Sequence, residues 1–400
     1  MRRAVVPVLG AAAAACFVLA VVAASRAIDT MSSPLSPPGS WKQALVVGTV
    51  AAFGFYVVGL VVLRRGGGSL WVVGVVAVVV QTAALFGPVL LSRDVHAYWA
   101  YARIATAYHQ NPYVDVPAAH PLDPAVRRMG SSWRETPSLY GPVFTAGSQV
   151  VAHSVGRSPR AANRAFRALG AASMLAILLL VAALARNRPF AVAFVGWNPL
   201  LAFHIAGGGH NDALMMALSL GALLLARRAR PGTAGVLWAL AIGVKWVAAG
   251  FVGLVLLAGH LRDRRLIAGL VGGSLAIAIG ATALYGLHWL HAVNGLSSQA
   301  RRTGSLGLSG WLGDLGLGHR ATLAVIGSAT LAVGGWLAVE AWRGKPRLGL
   351  AGVLAAALQG WLNPWYAVWG VTLAAPEEDG LAQILAVALS ALVLRDAIPL

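Results

Sequence analysis

The chain has 400 residues, 58% of them hydrophobic and 11% charged, with a formal net charge of +18. A mean hydropathy of +0.72 and repeated apolar runs of about 20 residues exclude a soluble globular fold, because each run can span a hydrocarbon core as a helix. The runs are rich in Ala, Val, Leu and Gly and lack the alternation of barrel strands. The positive charge does not mark a nucleic-acid binder. It falls in short clusters between the apolar runs, at Arg64/Arg65, Arg186/Arg188, Arg227/Arg228/Arg230, Arg262/Arg264/Arg265 and Arg343/Lys345/Arg347, the pattern that fixes cytoplasmic loops.

Taken in chain order, the first run follows Met1-Arg2-Arg3 like a signal peptide, but no small-residue cleavage site precedes the next run. It is read as a retained helix over about 4–25. The single cysteine, Cys16, lies inside it, which rules out an intrachain disulfide and fits a small buried apolar side chain. Ser32–Ser40 is then an outer loop. Helices follow at about 43–63 and 69–91, and the segment 92–162 becomes a large extracytoplasmic loop after helix 3. Helices at about 164–185, 189–205 and 212–226 come next.

The run over about 233–259 reads as one helix or two. One helix would put Arg262–Arg265 and every later basic cluster on the outside, against the positive-inside trend. A split at Lys245-Trp246 restores them, giving two short segments that meet at the outer side. Later helices fall at about 265–284, 320–341, 347–361, 364–375 and 382–396, with a second outer loop over about 286–318. The expectation is an all-α polytopic transmembrane bundle of about 13 helices forming one domain over residues 1–400. It sits in the cytoplasmic (inner) membrane.

In this threading the polar motifs gather on the outer side, which reads as an extracytoplasmic active site. Asp94, at the lip of helix 3, is either a helix cap or a general base. Lys245, in an apolar run, is either a snorkelling residue or a phosphate ligand. His210-Asn211-Asp212 follow three glycines, and either cap the next helix or bind substrate at its N-terminus. His210 and Asp212 are too few ligands to make a metal site, so no metal or other cofactor is assigned. Arg301 and Arg302 are either tolerated outer charges or a phosphate clamp. The Trp and Tyr of the outer loops divide between a membrane-interface belt and a sugar platform. P-loop, HExxH and GxSxG motifs are absent, and with no nucleotide fingerprint a lipid-linked donor fits better than a nucleotide sugar.

The segments Ser92-Arg93-Asp94-Val95-His96-Ala97-Tyr98, Asn111-Pro112-Tyr113, Leu139-Tyr140-Gly141-Pro142, Trp197-Asn198-Pro199-Leu200, Gly208-Gly209-His210-Asn211-Asp212-Ala213-Leu214-Met215, Gly243-Val244-Lys245 and Pro364-Trp365-Tyr366 carry a resemblance. They look like the polytopic GT-C glycosyltransferases. More narrowly, they resemble the actinobacterial polyprenol-phosphomannose-dependent α-(1→6)-mannosyltransferases and glycosyltransferase family 87. The resemblance implies a GT-C fold and inverting transfer of mannose from a polyprenyl-phosphate donor to a glycan or glycolipid acceptor. It implies Asp94 as base, and Lys245 with Arg301 or Arg302 at the donor phosphate. His96, Tyr98, Tyr140, Asn198, His210, Asn211, Asp212, Trp365 and Tyr366 are the candidate substrate contacts. His96 stands where the superfamily often has a second acidic residue, and Trp246 where the mannosyltransferases often have Pro after the Lys. Membrane lipids are the remaining partner and nucleic acid is not one. The rival reading, a transporter or flippase of a lipid-linked sugar, fits intramembrane charge and broken helices but lacks an internal repeat.

Overall fold

A computed structural model of the chain describes residues 2–30, 39–293 and 300–396. Residues 32–38 of the expected loop at Ser32–Ser40 and residues 294–299 of the second outer loop fall outside them. The described residues are helical and contain no strand. The helices are α1 (Arg2–Thr30), α2 (Ser40–Arg64), α3 (Leu70–Ala83), α4 (Asp94–Tyr108), α5 (Pro142–Val155), α6 (Pro159–Leu184), α7 (Arg188–Gly196), α8 (Pro199–Leu201), α9 (Asp212–Arg227), α10 (Pro231–Val244), α11 (Ala248–Ala258) and α12 (Arg264–Tyr285). They continue with α13 (Gly307–Asp314), α14 (His319–Trp342), α15 (Leu348–Ala357), α16 (Ala367–Ala374) and α17 (Gly380–Asp396).

Five of these segments are long and apolar enough to cross a membrane, and α7 with the stretch Pro199–Ala206 makes a sixth, bent by 48°. The other apolar helices are shorter than a full span. Beside the expected count of about 13 helices, the described residues hold a mixture of long helices and short, broken ones. Short helices are tolerated at membrane depth where neighbouring protein covers their ends. Helix 3 is also shorter than expected: it passes into a 3-10 turn, Ala84–Phe86, and stops at Gly87, because Pro88 disfavours the helical conformation of the residue before it. The large loop after it is not irregular, since it contains α4 and α5.

The direction of α10 to α12 follows from close backbone contacts. Gly232 abuts Gly269, Gly235 abuts Leu266 and Leu270, Ala239 abuts Gly273, and Gly243 abuts Ile277. Contacts that advance together along both helices mean that α10 and α12 run parallel. The chain between them must reverse, and it does so through α11 after a break at Lys245, which is extended at φ −151° and ψ 124°. The expected split at Lys245-Trp246 is present, and Arg262–Arg265 lie at the same end of the bundle as Arg227–Arg230.

That end holds the other basic clusters too. Arg186 pairs with Glu378 at 3.3 Å, Arg347 pairs with Asp379 at 2.8 Å, and the Arg64 guanidinium lies beside Gly380. Glu377 accepts the Leu348 and Gly349 N–H groups at the start of α15, and burial pushes its carboxyl up to about 7. The opposite end is built by α4, by the ordered segment 109–141 and by the loops before α9, α11 and α16. A buried Arg103–Asp123 ion pair at 2.7 Å, joined by the Tyr108 hydroxyl, pins that segment to α4. The Arg167 guanidinium donates to the Ala84 and Gly87 carbonyls, which ties the end of α3 to α6.

Reversal through α11 has a direct test. In a Cys16→Ala background, a cysteine at Ser131 is expected to react with a membrane-impermeant maleimide in intact cells. Cysteines at Arg228 and Arg262 are expected to react only after permeabilisation, and labelling of Arg262 from outside would show that α10 and α11 form a single crossing.

Candidate active site

At the aromatic end lies a cavity of about 430 Å³, whose lining includes Asp94, Tyr98, Tyr101, Trp133, Tyr140, Lys245, Trp361, Trp365, Tyr366 and Trp369. Helix α4 supplies one wall. Asp94, Tyr98 and Tyr101 stand at i, i+4 and i+7, the spacing that puts side chains on one helical face. Arg93 holds the cap position of α4 with no side-chain cap bond. Asp94 therefore does not act as the cap; its side chain is 21% exposed and lines the cavity.

His210 Nδ1 lies 3.3 Å from Asp94 Oδ2, at an angle that does not make a well-aligned hydrogen bond. The His210 ring stacks on Trp365 at 3.8 Å between centroids. Burial alone would raise the Asp94 carboxyl. The contact with His210, the Lys245 ammonium and Ser92 outweigh it, and the carboxyl lies below its usual value. The group is a carboxylate at neutral pH.

The opposite wall carries Lys245. Its Nζ donates to both Asp212 oxygens, at 2.7 and 2.8 Å, and Trp369 Nε1 donates to Asp212 Oδ1 at 2.6 Å. The ammonium also sits over the faces of Tyr366 and Trp369, at 5.1 and 5.6 Å. Asp212 is the first residue of α9 and caps nothing; Asn211 holds the cap position, again without a side-chain cap bond. The expected capping roles of both residues give way to an ion pair between Asp212 and Lys245.

Two glycines make this geometry possible. Gly141 N–H donates to the Val244 carbonyl at 3.3 Å, and a Cβ at Gly141 would collide with the Gly243 carbonyl. The Tyr140 loop therefore docks backbone to backbone on the end of α10, one residue before Lys245. Gly209 has φ +69° and no room for a Cβ beside Val95 and Phe166, which lets the turn into His210 press against α4.

Comparison with known proteins fits this arrangement. Residues 6–261 match the family described as alpha-(1->6)-mannopyranosyltransferase, N-terminal domain. The chain belongs to this family. It is 28% identical over 362 residues to alpha-(1->6)-mannopyranosyltransferase B of Corynebacterium glutamicum, covering 78% of this chain and 58% of that protein. It is also 28% identical over 352 residues to alpha-(1->6)-mannopyranosyltransferase A of Mycobacterium tuberculosis, covering 77% of this chain and 66% of that protein. The chain thus spans less than two thirds of the length of these relatives. No solved structure matches it.

Among the residues expected from sequence, Asp94, Tyr98, Tyr140, Lys245, Trp365 and Tyr366 line the family member's cavity. His210, Asn211 and Asp212 are buried behind its wall. Arg302 stands next to it, over Trp133 at 4.5 Å and Trp361 at 5.1 Å, while Arg301 is exposed. Asn198 and His96 lie elsewhere. Asn198 is fully buried, accepts from Leu200 N–H and donates to Ser390 Oγ, so it caps α8 and ties it to α17. His96 is two residues from Asp94, which turns it about 200° around the helix into a separate cavity. Tyr101, Trp133, Trp361 and Trp369, expected only among the outer-loop aromatics shared between belt and platform, also line the cavity. The helical repeat Asp94-Tyr98-Tyr101 and the pair Trp365-Trp369 were the available signals. Among the described residues, no three His, Cys, Asp or Glu side chains gather as a metal-holding group.

The Gly141 contact predicts a stability difference within one helix. Gly141→Ala forces its Cβ into backbone and is expected to cost about 1–3 kcal/mol. Gly147→Ala, on α5 with nothing within 4 Å of its Cβ position, is expected to be neutral or to stabilise by about 0.5–1 kcal/mol. Thermal unfolding of both variants in detergent checks the order.

Proposed function

We propose that the chain is a membrane mannosyltransferase that moves mannose from a polyprenyl-phosphate donor to a glycan or glycolipid acceptor, at the outer face of the cytoplasmic membrane. The observation that carries this reading is one cavity lined by both a carboxylate, Asp94, and an ammonium, Lys245, with an aromatic lining between them. Its volume is within the range of small-molecule sites, and aromatic faces suit a pyranose ring. Family membership supplies the transfer chemistry.

In the proposed reaction an acceptor hydroxyl gives its proton to the Asp94 carboxylate as its oxygen attacks the anomeric carbon of a β-linked mannosyl phosphate. The bond from that carbon to the phosphate oxygen breaks, polyprenyl phosphate leaves, and the new glycosidic bond has the inverted, α configuration. Lys245 meets the leaving charge with the N–H that Asp212 does not use, since an ammonium has three donors. Arg302 adds positive charge beyond Trp133 and Trp361. A general base and a stabilised leaving group are the two contributions such a transfer needs.

Purified protein incubated with labelled polyprenyl-phosphate mannose and short mannoside acceptors is expected to yield a longer mannoside, and no transfer would refute the reading. Asp94→Asn is expected to fold normally and to lower turnover by at least about 100-fold; full activity in that variant would remove Asp94 from the chemistry.

Lys245→Met calls for a paired control, because it leaves Asp212 buried without its partner. It is expected to weaken donor binding by about tenfold to a hundredfold and to lower stability by about 3–5 kcal/mol. Combining it with Asp212→Asn is expected to recover much of the stability but not the affinity. Donor titration and unfolding of both variants separate the two effects, and donor affinity unchanged in the double variant would dismiss the phosphate role.

A further inference from the structure

A second cavity, of about 360 Å³, opens on the other face of the first turn of α4. It is lined by Val89, Ser92, Arg93, Val95, His96, Arg127 and Arg128. Three arginines, all exposed, thus line a space with no carboxylate in its lining. Among the described residues, none of the three forms a salt bridge. Arg127 and Arg128 are not loose tails on a free loop. Their segment is fixed by Asp123, which is buried in the pair with Arg103 and accepts the Ala125 N–H at 2.8 Å.

The fourth polar group is His96. Its Nδ1 is buried and has no hydrogen-bond partner. Burial first, then the charges of Arg128 and Arg93, push the imidazole down to about 4. At neutral pH it is an uncharged ring that can offer one N–H donor. Apart from one long bond from Arg128 Nη1 to the Pro124 carbonyl, at 3.5 Å, the three fork-shaped cations and the unused ring nitrogen are donors without a protein acceptor among the described residues. Arg is the side chain whose fork matches phosphate oxygens. The surroundings favour a lipid as the source. Leu91, 51% exposed, immediately precedes Ser92, and Phe86, 86% exposed, lies three residues before Val89. Apolar side chains projecting beside a basic hollow are what a protein presents at the headgroup level of a bilayer.

We propose that this cavity binds a phosphate group, presented by an anionic phospholipid headgroup at the outer leaflet. Arg93, Arg127 and Arg128 engage the phosphate oxygens, and His96 supplies a neutral donor at the floor. The site is separate from the Asp94 cavity and does not depend on the transferase reading.

The test uses the full chain in a neutral detergent, with thermal unfolding as the readout and ionic strength held constant with chloride. The probes are inorganic phosphate and a short-chain phosphatidylglycerol. Both are expected to raise the unfolding midpoint, the lipid at lower concentration. The double variant Arg127→Gln/Arg128→Gln is expected to need at least about tenfold more of either probe, from the loss of charge-assisted contacts. Arg157→Gln/Arg160→Gln removes the same charge from exposed positions outside the cavity and is expected to respond like the parent. A response to inorganic phosphate but not to the lipid, with the same variant dependence, would keep the anion site and overturn the lipid source. Equal responses in parent and in the Arg127/Arg128 variant, or equal losses in both double variants, would overturn the site.

Discussion

The ion pair between Lys245 and Asp212 is the constraint on which the aromatic end of the molecule depends. It joins the break between α10 and α11 to the start of α9, and through Trp369 to α16. Taking two charges out of water costs several kcal/mol per ion. Here the cost is offset by two short bonds to one carboxylate, a third from the indole, and two aromatic faces near the ammonium, each worth about 0.5–2 kcal/mol. The pair also requires the chain to leave the helix at Lys245. The backbone groups exposed by that break are taken up: Gly141 N–H bonds to the Val244 carbonyl, and the Lys245 carbonyl accepts from Ala248 N–H. Charge pairing, helix break and glycine contact are thus one device. Its product is a fixed positive group facing a fixed negative one across a cavity.

That arrangement bears on what kind of base Asp94 can be. Its carboxyl is held below the ordinary carboxylate range, so it is ionised throughout the neutral range and is a weak proton acceptor at rest. Sign matters here. A depressed carboxyl adds stability above its unfolded pKa and loses it as pH falls through the lower, folded value. In the proposed transfer, proton uptake by so weak a base would be productive only as the acceptor oxygen bonds to carbon and its own acidity rises, which would make deprotonation part of the transfer step rather than a prior one.

The sequence exposed the charged members of this site most clearly and its aromatic lining only in part, for a physical reason. A Lys or Asp inside an apolar run is costly, so its presence carries information. The basic clusters likewise disclosed the reversal through α11, because orientation rules act on charge. Packing was harder to read. Lipid-facing and protein-facing sides of a membrane helix are both apolar, so no periodicity separates the buried face of α10 from its exposed one. Short helices covered by neighbours look like full spans for the same reason. Asn198 was misplaced because a polar residue in apolar surroundings serves a buried helix end as well as a ligand. His96 entered the site through a family resemblance carried by a continuous segment, and a segment that forms one turn of helix presents its residues to different cavities.

Helix α4 shows what that last distinction does. Asp94 and His96 are two residues apart and face different cavities. On the Asp94 side, Lys245 and His210 hold a carboxylate ionised. On the other, burial with Arg93 and Arg128 holds an imidazole neutral. A single turn of helix thus sets two titratable groups in opposite electrostatic surroundings. The separation matters for the site. Arg93 adjoins Asp94 in sequence, and a guanidinium turned into the same cavity would bond the carboxylate bidentately and occupy the lone pairs an acceptor hydroxyl needs. Instead Arg93 lines the second cavity with Arg127 and Arg128. Asp94 is left with His210 and Ser92 beside it and an open face toward the aromatic cavity. The helix acts as a partition, and the side on which each charge falls decides what it is free to do.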